Sequence, residues 1–124
     1  MKGQDPLHIL GSGNQVRCYT HGRDIARAIV LAMTHENAVN EDFNISTPRA
    51  TTVLELADLV WREMKGEELD LNSVEHDEPY LYDVQKRVPD VNKAKRLLDF
   101  SVKIPLEQSI REVVDEMVAH APRS

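Results

Sequence analysis

The chain has 124 residues, 41% hydrophobic and 29% charged, which is long enough for one domain with a modest core. Its formal net charge of −6 argues against a nucleic-acid or anionic-membrane surface, because both partners are themselves negative. Cys18 is the only cysteine, so no internal disulfide can form. Because the sequence shows no signal peptide and no long apolar run, we expect a cytoplasmic protein that spans no membrane.

The first predicted elements are two extended segments separated by a glycine turn. Residues 1–6 are polar and predicted to fray, residues 7–10 read Leu-His-Ile-Leu and predict a short strand, and Gly11-Ser-Gly13 ends it. Residues 16–21 predict a second extended run. The glycines do not form a dinucleotide fingerprint, because Val16 stands in place of the third glycine and a strand, not a helix, follows.

The second run carries the best candidate for an anion site. Arg17, flanked by Gln15 and Tyr19, has a guanidinium whose fixed fork of donors matches phosphate oxygens. A surface arginine paired with an acidic neighbour is the alternative. His21 lies on the same side of an extended run as Arg17, but a packed or hydrogen-bonded role is expected for it.

Two helices and a strand are predicted next. Asp24 is a good N-cap for a helix that ends near residues 35–37, and residues 42–46 are a strand candidate. Thr52-Val-Leu-Glu55 has the spacing of a capping box for the second helix, and Gly66 is its predicted C-terminal stop. The predicted buried faces of these two helices are Ile25, Ala28, Ile29 and Ala32, then Val53, Leu56, Val60 and Met64.

The last third of the chain predicts an acidic loop and two more helices. Residues 67–89 hold one strand near residues 69–74 and then a loop with Tyr80 and Tyr82, and loops of this length are often functional. Asp90 is predicted to cap a short helix and Pro105 to lie in the first turn of the last one, which frays after residue 119. The predicted buried faces are Val91, Ala94, Leu97 and Leu98, then Leu106, Ile110, Val113, Val114 and Met117.

Arg87 is a second candidate for binding an anion. It precedes the Asp90 helix on a loop, and a helix N-terminus beside an arginine favours phosphate. A solvated basic face is the alternative, and it fits residues 93–96 better than Arg87. The histidines and Cys18 show no ligand spacing, so no metal site is predicted, and no serine or cysteine has the signature of an activated nucleophile.

Three stretches together resemble the C-terminal part of the NAD-dependent nucleotide-sugar epimerases, dehydratases and decarboxylases of the extended short-chain dehydrogenase superfamily. The first runs from Gly11 through Arg17 and Tyr19 to Asp24-Ile-Ala-x-Ala28. The second is Phe43-Asn-Ile-Ser46 followed by Thr52-Val-Leu-Glu-Leu56. The third is Asp83-x-x-Lys-Arg87-x-Pro-Asp90-x-x-Lys-Ala94-x-x-Leu-Leu98. They cover nearly the whole chain in the family's order.

The resemblance implies an α/β fold, helix-rich with a few short strands and without the main Rossmann sheet. Residues 1–124 would form a single substrate-binding fragment whose Arg17 and Arg87 bind the diphosphate of a nucleotide sugar. Gln15, Tyr19 and Asp83 would complete that site. The implied partners are the nucleotide sugar and an N-terminal Rossmann domain that holds NAD or NADP, and this fragment is expected to be a monomer.

The chain also departs from the family's pattern. It has no glycine fingerprint for NAD, and its one Tyr-x-x-x-Lys spacing, Tyr82 to Lys86, is predicted on a loop rather than a helix. We therefore expect no cofactor, no catalytic residue and no hydride transfer in this chain alone. Cys18, Gly22-Arg23 and Asp99 replace an aspartate, a Val-Asp pair and a glycine that are usual there. The alternative function is a non-catalytic interaction module that keeps the fold.

Overall fold

A computed structural model describes residues 6–120, so the predictions of fraying at residues 1–5 and 121–124 lie outside the described residues. The predicted α/β, helix-rich class with a few short strands is confirmed. In chain order the elements are β1 (Leu7–Leu10), β2 (Val16–Arg17), α1 (Gly22–Thr34), β3 (Thr51–Thr52), α2 (Val53–Lys65), β4 (Val74–Asp77), α3 (Asn92–Leu98) and α4 (Leu106–Ala119). None of the helices within residues 6–120 is long and apolar enough to cross a membrane.

The strands form two small sheets. β1 pairs with β4 in parallel, from Leu7 opposite Val74 to Leu10 opposite Asp77. β2 pairs with β3 in antiparallel fashion, with Arg17 opposite Thr51. Because the second sheet joins β2 to the residue before α2, it fixes the start of that helix against the predicted anion site.

Three strand predictions need correction. The strand expected near residues 69–74 is β4 at Val74–Asp77, because the Asp70 carboxylate accepts the Asn72 N–H at 3.0 Å and starts a 3₁₀ turn first. The run predicted over residues 16–21 is a strand only at Val16–Arg17. Residues 42–46 form no strand, since no segment within residues 6–120 pairs with them.

The core lies between α1, α3 and the segment that follows α3. Ala28, Ala94, Leu98 and Phe100 are almost completely buried and form one cluster. Leu106 and Ile110 of α4 are also buried, and α4 packs on α2. The prediction of burial is thereby confirmed for five residues: Ala28, Ala94, Leu98, Leu106 and Ile110. It is wrong for five others, which are exposed: Ile29, Ala32, Met64, Val113 and Met117.

Asp24 is not the N-cap of α1. The helix begins at Gly22, and its cap is His21, whose Nδ1 accepts the Arg23 N–H at 3.0 Å. Asp24 lies in the first turn and is only 2% exposed. Its Oδ2 accepts the N–H groups of Lys103 at 3.0 Å and Ile104 at 2.9 Å, so its carboxylate ties α1 to the segment that leads into α4.

The other helix ends follow the sequence more closely. Thr52 and Glu55 make both bonds of a capping box at the start of α2, and Gly66 ends that helix with φ of 76°. The N-cap of α3 is Val91 rather than Asp90, although Asp90 still accepts the Asn92 N–H at 2.9 Å. Pro105 is the N-cap of α4 rather than a residue of its first turn, since its ψ of 157° is extended.

Asp99 ends α3 in the left-handed region, with φ of 50°, as the missing glycine at this position suggested. We expect Asp99→Gly to raise the free energy of unfolding by about 0.5–1 kcal/mol, because glycine adopts this conformation without a steric penalty. Urea unfolding monitored by circular dichroism measures the change. Asp90→Gly is the matched control and should not stabilise, because Asp90 has no positive φ and accepts a hydrogen bond.

Candidate functional site

The two predicted arginines lie beside each other because β2 is bonded to the chain that follows the acidic loop. The Val16 N–H donates to the Gln85 carbonyl at 2.8 Å, and the Arg87 N–H donates to the Val16 carbonyl at 3.0 Å. Val16 and Lys86 are partners in a parallel bridge. Arg17 and Arg87 each follow one residue later, so their backbones lie side by side in neighbouring extended segments, whose usual spacing is about 4.8 Å.

Arg17 is already engaged by an acidic neighbour. Its Nη2 donates to Asp83 Oδ1 at 3.1 Å, and its Nη1 donates to the Val16 carbonyl at 2.8 Å. The two side chains are 25% and 20% exposed, so the pair is shielded from solvent but reachable. The ion pair predicted as the alternative is therefore present. It also holds the guanidinium of Arg17 in one orientation.

Arg87 is in the opposite situation. Its side chain is exposed, and its guanidinium makes no hydrogen bond or ion pair with any residue between 6 and 120. All the donors of its guanidinium are thus available to a ligand.

The observed contacts of Gln15 are with the glycine turn and the start of α2 rather than with Arg17 or Arg87. It is 8% exposed, and its Nε2 donates to the Leu10 carbonyl at 2.9 Å, which closes the glycine turn after β1. Its backbone carbonyl accepts the Val53 N–H at 3.2 Å. Gln15 therefore positions β2, and its side-chain carbonyl and second Nε2–H remain for a ligand.

Tyr19 lines a cavity of about 390 Å³ together with residues of the 47–51 loop and of the 102–106 segment. Burial raises the pKa of its hydroxyl above 10.0, and the nearby positive charge of Arg17 offsets part of that rise. The phenol is therefore protonated at neutral pH and can donate a hydrogen bond.

The predicted loop before Asp83 ends in a tight turn. The Asp83 N–H donates to the Tyr80 carbonyl at 3.2 Å, and Leu81 and Tyr82 at the tip are 86% and 91% exposed. The Asp83–Arg17 pair anchors this turn at the arginines. Tyr82 and Lys86 lie on this irregular segment and not on a helix, as predicted.

A charged network at the start of α1 was missed by sequence reasoning. His21 Nδ1 accepts the Arg23 N–H, so Nε2 carries the proton and donates to Glu112 Oε2 at 3.0 Å. Arg23 also donates to Glu112, and Gln108 donates to it at 2.9 Å. These bonds, from Gln108 first and then Arg23 and His21, lower the pKa of Glu112 to about 2. The expectation of a hydrogen-bonded His21 is confirmed.

The depressed pKa of Glu112 predicts how stability depends on pH. Because the folded pKa lies below the ordinary 4.5, the stabilisation is complete above about pH 4.5 and is lost as pH falls toward about 2. We expect the difference in unfolding free energy between the natural chain and Glu112→Gln to shrink over this window, measured by urea unfolding at pH 6, 4 and 3. Asp115→Asn, on the same helix, is the control. Equal pH dependence in both variants would contradict the assignment.

The glycine turn does not fit the pyrophosphate of a dinucleotide. Such a cradle needs open space at the glycines and a helix that starts there. A Cβ on Gly13 would lie 2.6 Å from Leu54 Cγ, and one on Gly11 would lie 3.2 Å from Pro79 Cβ, so protein fills both places. A strand follows, and the interpretation of these glycines as a turn is confirmed. Within residues 6–120, no three His, Cys, Asp or Glu side chains are placed to hold a metal.

Comparison with known proteins gives consistent matches over most of the chain. A family model described as GDP-mannose 4,6 dehydratase matches residues 1–113. A putative UDP-glucose 4-epimerase of Methanocaldococcus jannaschii is 34% identical over 119 residues, which is 94% of this chain and 35% of that protein. The UDP-glucuronic acid decarboxylase 1 of Xenopus tropicalis is 28% identical over 111 residues, 89% of this chain and 25% of that protein.

Solved structures of nucleotide-sugar enzymes match most of the chain as well. The UDP-glucose 4-epimerase of Thermotoga maritima, crystallised with UDP-glucose, superposes with a TM-score of 0.77 at 35% identity over 91% of this chain and 35% of that one. The dTDP-glucose 4,6-dehydratase of Bacillus anthracis, crystallised with NAD, has a TM-score of 0.80 at 22% identity over 94% and 35%, which shows a shared fold. The chain thus spans about a third of the length of these relatives.

Proposed function

Because the chain belongs to the GDP-mannose 4,6-dehydratase family of NAD-dependent nucleotide-sugar epimerases and dehydratases, we propose that it is the substrate-binding portion of such an enzyme. In this proposal Arg17 and Arg87 hold the diphosphate of a nucleotide sugar. The observation that supports it is the bridge between Val16 and Lys86, which brings the backbones of Arg17 and Arg87 side by side. A relative at 35% identity was crystallised with UDP-glucose, a ligand of this class.

The surrounding contacts suit a holding role. Asp83 orients the guanidinium of Arg17 at 3.1 Å, while the unpaired guanidinium of Arg87 supplies the positive charge that a diphosphate requires. The exposed Tyr82 lies beside Asp83 and is available to close over the nucleotide. Gln15 lies immediately before β2 and Tyr19 two residues after it, so the two flank Arg17 in the sequence.

The chemistry itself is assigned to residues outside this chain. The described residues contain no Tyr-x-x-x-Lys pair on a helix, and protein atoms fill the space at Gly11 and Gly13. We propose that NAD or NADP binds an N-terminal Rossmann portion and that the isolated chain performs no hydride transfer; a protein of the same fold was crystallised with NAD. A cytoplasmic location and a monomeric state for this fragment remain predictions.

The arginine pair predicts a specific loss of ligand binding. We expect Arg17→Ala and Arg87→Ala each to weaken the binding of UDP by about tenfold or more, because each removes charge-assisted hydrogen bonds to phosphate. Nuclear magnetic resonance titration with UDP, GDP, dTDP and inorganic pyrophosphate measures the affinity. Arg96→Ala is the matched control, since Arg96 is an exposed arginine on α3.

The titration has two outcomes that contradict the proposal. One is the absence of any response to the nucleotides and to pyrophosphate at millimolar concentration. The other is a response that Arg17→Ala and Arg87→Ala reduce no more than Arg96→Ala does. A response to pyrophosphate alone supports the diphosphate site but assigns the choice of base to residues elsewhere.

A second candidate function, a non-catalytic interaction module, is favoured by one observation. Ile29, Val30 and Met33 of α1 are 53%, 59% and 79% exposed and form an apolar face. In this alternative the face docks a partner protein, whereas in the substrate-binding portion of an enzyme a nucleotide-binding portion would cover it. Sedimentation of the chain mixed with the nucleotide-binding portion of a relative separates the two: co-sedimentation that Met33→Asp abolishes, with UDP binding unchanged, favours the enzyme, and its absence favours the interaction module.

A further inference from the structure

The cavity beside Tyr19 is separate from the arginine pair. Arg17, Asp83 and Arg87 do not line it, and its walls come from the 47–51 loop and from the segment that leads into α4. Its volume of about 390 Å³ lies within the range of small-molecule pockets. The lining residues that matter for its chemistry are Tyr19, Thr47, Arg49, Thr51, Lys103 and Leu106.

Two hydroxyl groups in this cavity lack a partner. Thr51 is only 3% exposed, and neither its hydroxyl nor that of Tyr19 makes a hydrogen bond with another residue between 6 and 120. Every fully buried side-chain nitrogen or oxygen in that part of the chain does have a partner. The Thr51 hydroxyl is therefore open to the cavity that it lines. A ligand oxygen there would replace solvent as the hydrogen-bond partner of this hydroxyl.

The charges around the cavity favour an anion. Arg49 Nη1 donates to Glu107 Oε1 at 2.7 Å, so Glu107 offsets the charge of Arg49, but the Nη2 and Nε groups of Arg49 have no partner within residues 6–120 and can bond a ligand. Lys103 is exposed, and its ammonium makes no ion pair within residues 6–120. The cavity also borders the start of the 14-residue helix α4, where Pro105 provides no side-chain cap. The positive end of the helix and Lys103 together leave room for one negative charge.

We propose that this cavity binds a small hydroxylated monoanion of the sugar-acid class. Its carboxylate would lie between Lys103, Arg49 and the start of α4, and its hydroxyls would bond Tyr19 and Thr51. Leu106 supplies the apolar wall. This site shares Tyr19 but no charged residue with the diphosphate site proposed above, so variants of charged residues test the two sites separately.

Three probes separate the parts of this proposal. Glucuronate has both a carboxylate and hydroxyls, glucose has the hydroxyls alone, and acetate has the charge alone. We expect glucuronate to shift the resonances of Thr51 and Lys103 with higher affinity than either of the others. Thr51→Val should weaken glucuronate binding by about three- to tenfold, the worth of one hydrogen bond, and Arg49→Ala by about tenfold or more.

Glu107 gives a variant that acts in the opposite direction. Glu107→Gln frees Arg49 and removes a competing negative charge, so it should tighten glucuronate binding several-fold. Arg111→Ala is the matched control, since Arg111 is an exposed arginine paired with Glu63 at 3.2 Å. Thermal unfolding of Thr51→Val confirms that the variant folds.

The proposal is overturned if glucuronate binds no better than acetate, or if Thr51→Val and Arg49→Ala bind it as tightly as Arg111→Ala. The proposal of a diphosphate site is tested separately, because pyrophosphate binding depends on Arg17 and Arg87. If the chain binds pyrophosphate but not glucuronate, only the proposal for the cavity is refuted.

Discussion

Asp24→Ala is expected to lower the free energy of unfolding by about 3–5 kcal/mol, a large part of the stability of a domain this size. The side chain is 2% exposed and accepts three bonds, from the N–H groups of Lys103 and Ile104 and from Arg27 Nη2 at 2.7 Å. Alanine leaves all three donors without this acceptor. Arg27 would then remain over the Phe100 ring, 4.7 Å from its centroid, with its charge uncompensated.

The pKa of Asp24 supports the same conclusion. Burial pushes it up, but the bonds from Arg27, Ile104 and Lys103 outweigh that effect and hold it below its ordinary value. A lowered folded pKa means that the carboxylate stabilises the fold above its ordinary pKa and loses that contribution as pH falls. The effect of Asp24→Ala should accordingly diminish in acid.

Asp58→Ala is the matched control for Asp24→Ala. Asp58 also accepts a backbone N–H, from Leu69 at 3.0 Å, and an arginine, Arg62 at 2.8 Å, but its side chain is 31% exposed. Water replaces the lost partner there, so we expect a cost of only about 1 kcal/mol. Urea unfolding at pH 7 measures both variants. Equal costs would show that the position of Asp24 in the core carries no special weight.

Asp24 also shows where local sequence reasoning stops. An aspartate before an apolar helix has the pattern of an N-cap, and nothing near it indicates that its acceptors serve Lys103 and Ile104. The helix itself was predicted correctly, because its signal is local. The same division holds elsewhere: the capping box of Thr52 and Glu55 and the stop at Gly66 are local patterns and are confirmed.

The buried faces were harder to predict for a physical reason. Periodicity indicates that a helix has an apolar stripe, but not how much of that stripe the rest of the chain covers. Ile29 and Ala32 belong to the same predicted stripe as Ala28, yet of these three only Ala28 joins the core cluster with α3 and Phe100. Residues 42–46 likewise have a strand pattern, and a strand forms only where another strand supplies hydrogen-bond partners.

The candidate site also combines features that the local sequence indicates with contacts that it does not. The chemistry of Arg17 and Arg87 was readable from residue type, but the proximity of their backbones depends on the bridge between Val16 and Lys86 at the end of the acidic loop. The bonds of His21 and Arg23 to Glu112 join α1 to α4 and have no local signal at all. Predicting them requires knowledge of which helices pack together.

The second large effect is expected at Gly13, where two constraints coincide. Its φ is +75°, and a Cβ there would lie 2.6 Å from Leu54 Cγ and 3.3 Å from Ile9 Cγ2. A left-handed conformation costs a non-glycine residue about 1–2 kcal/mol, and overpacking costs about 1–3 kcal/mol more. Gly13→Ala should therefore lower the free energy of unfolding by about 2–5 kcal/mol, measured by urea unfolding.

Two other glycines separate these causes. Gly66 has φ of +76° with nothing within 4 Å of a Cβ, so Gly66→Ala measures the backbone cost alone, about 1–2 kcal/mol. Gly22 has neither constraint and begins α1, so Gly22→Ala should be neutral or stabilising by up to about 1 kcal/mol. Equal costs at Gly13 and Gly66 would show that the contact with Leu54 is without consequence.

The strain at Gly13 should also reach the arginine pair. The Gly13 carbonyl accepts the Leu54 N–H at 3.0 Å, which docks the turn on the start of α2. β2 begins three residues later, and its Val16 holds Arg17 beside Arg87. A turn pushed away from Leu54 moves β2 against residues 85–87, so Gly13→Ala should weaken UDP binding as well as stability. In the double variant Gly13→Ala with Leu54→Ala the clash is gone, and UDP affinity should return although the left-handed cost remains.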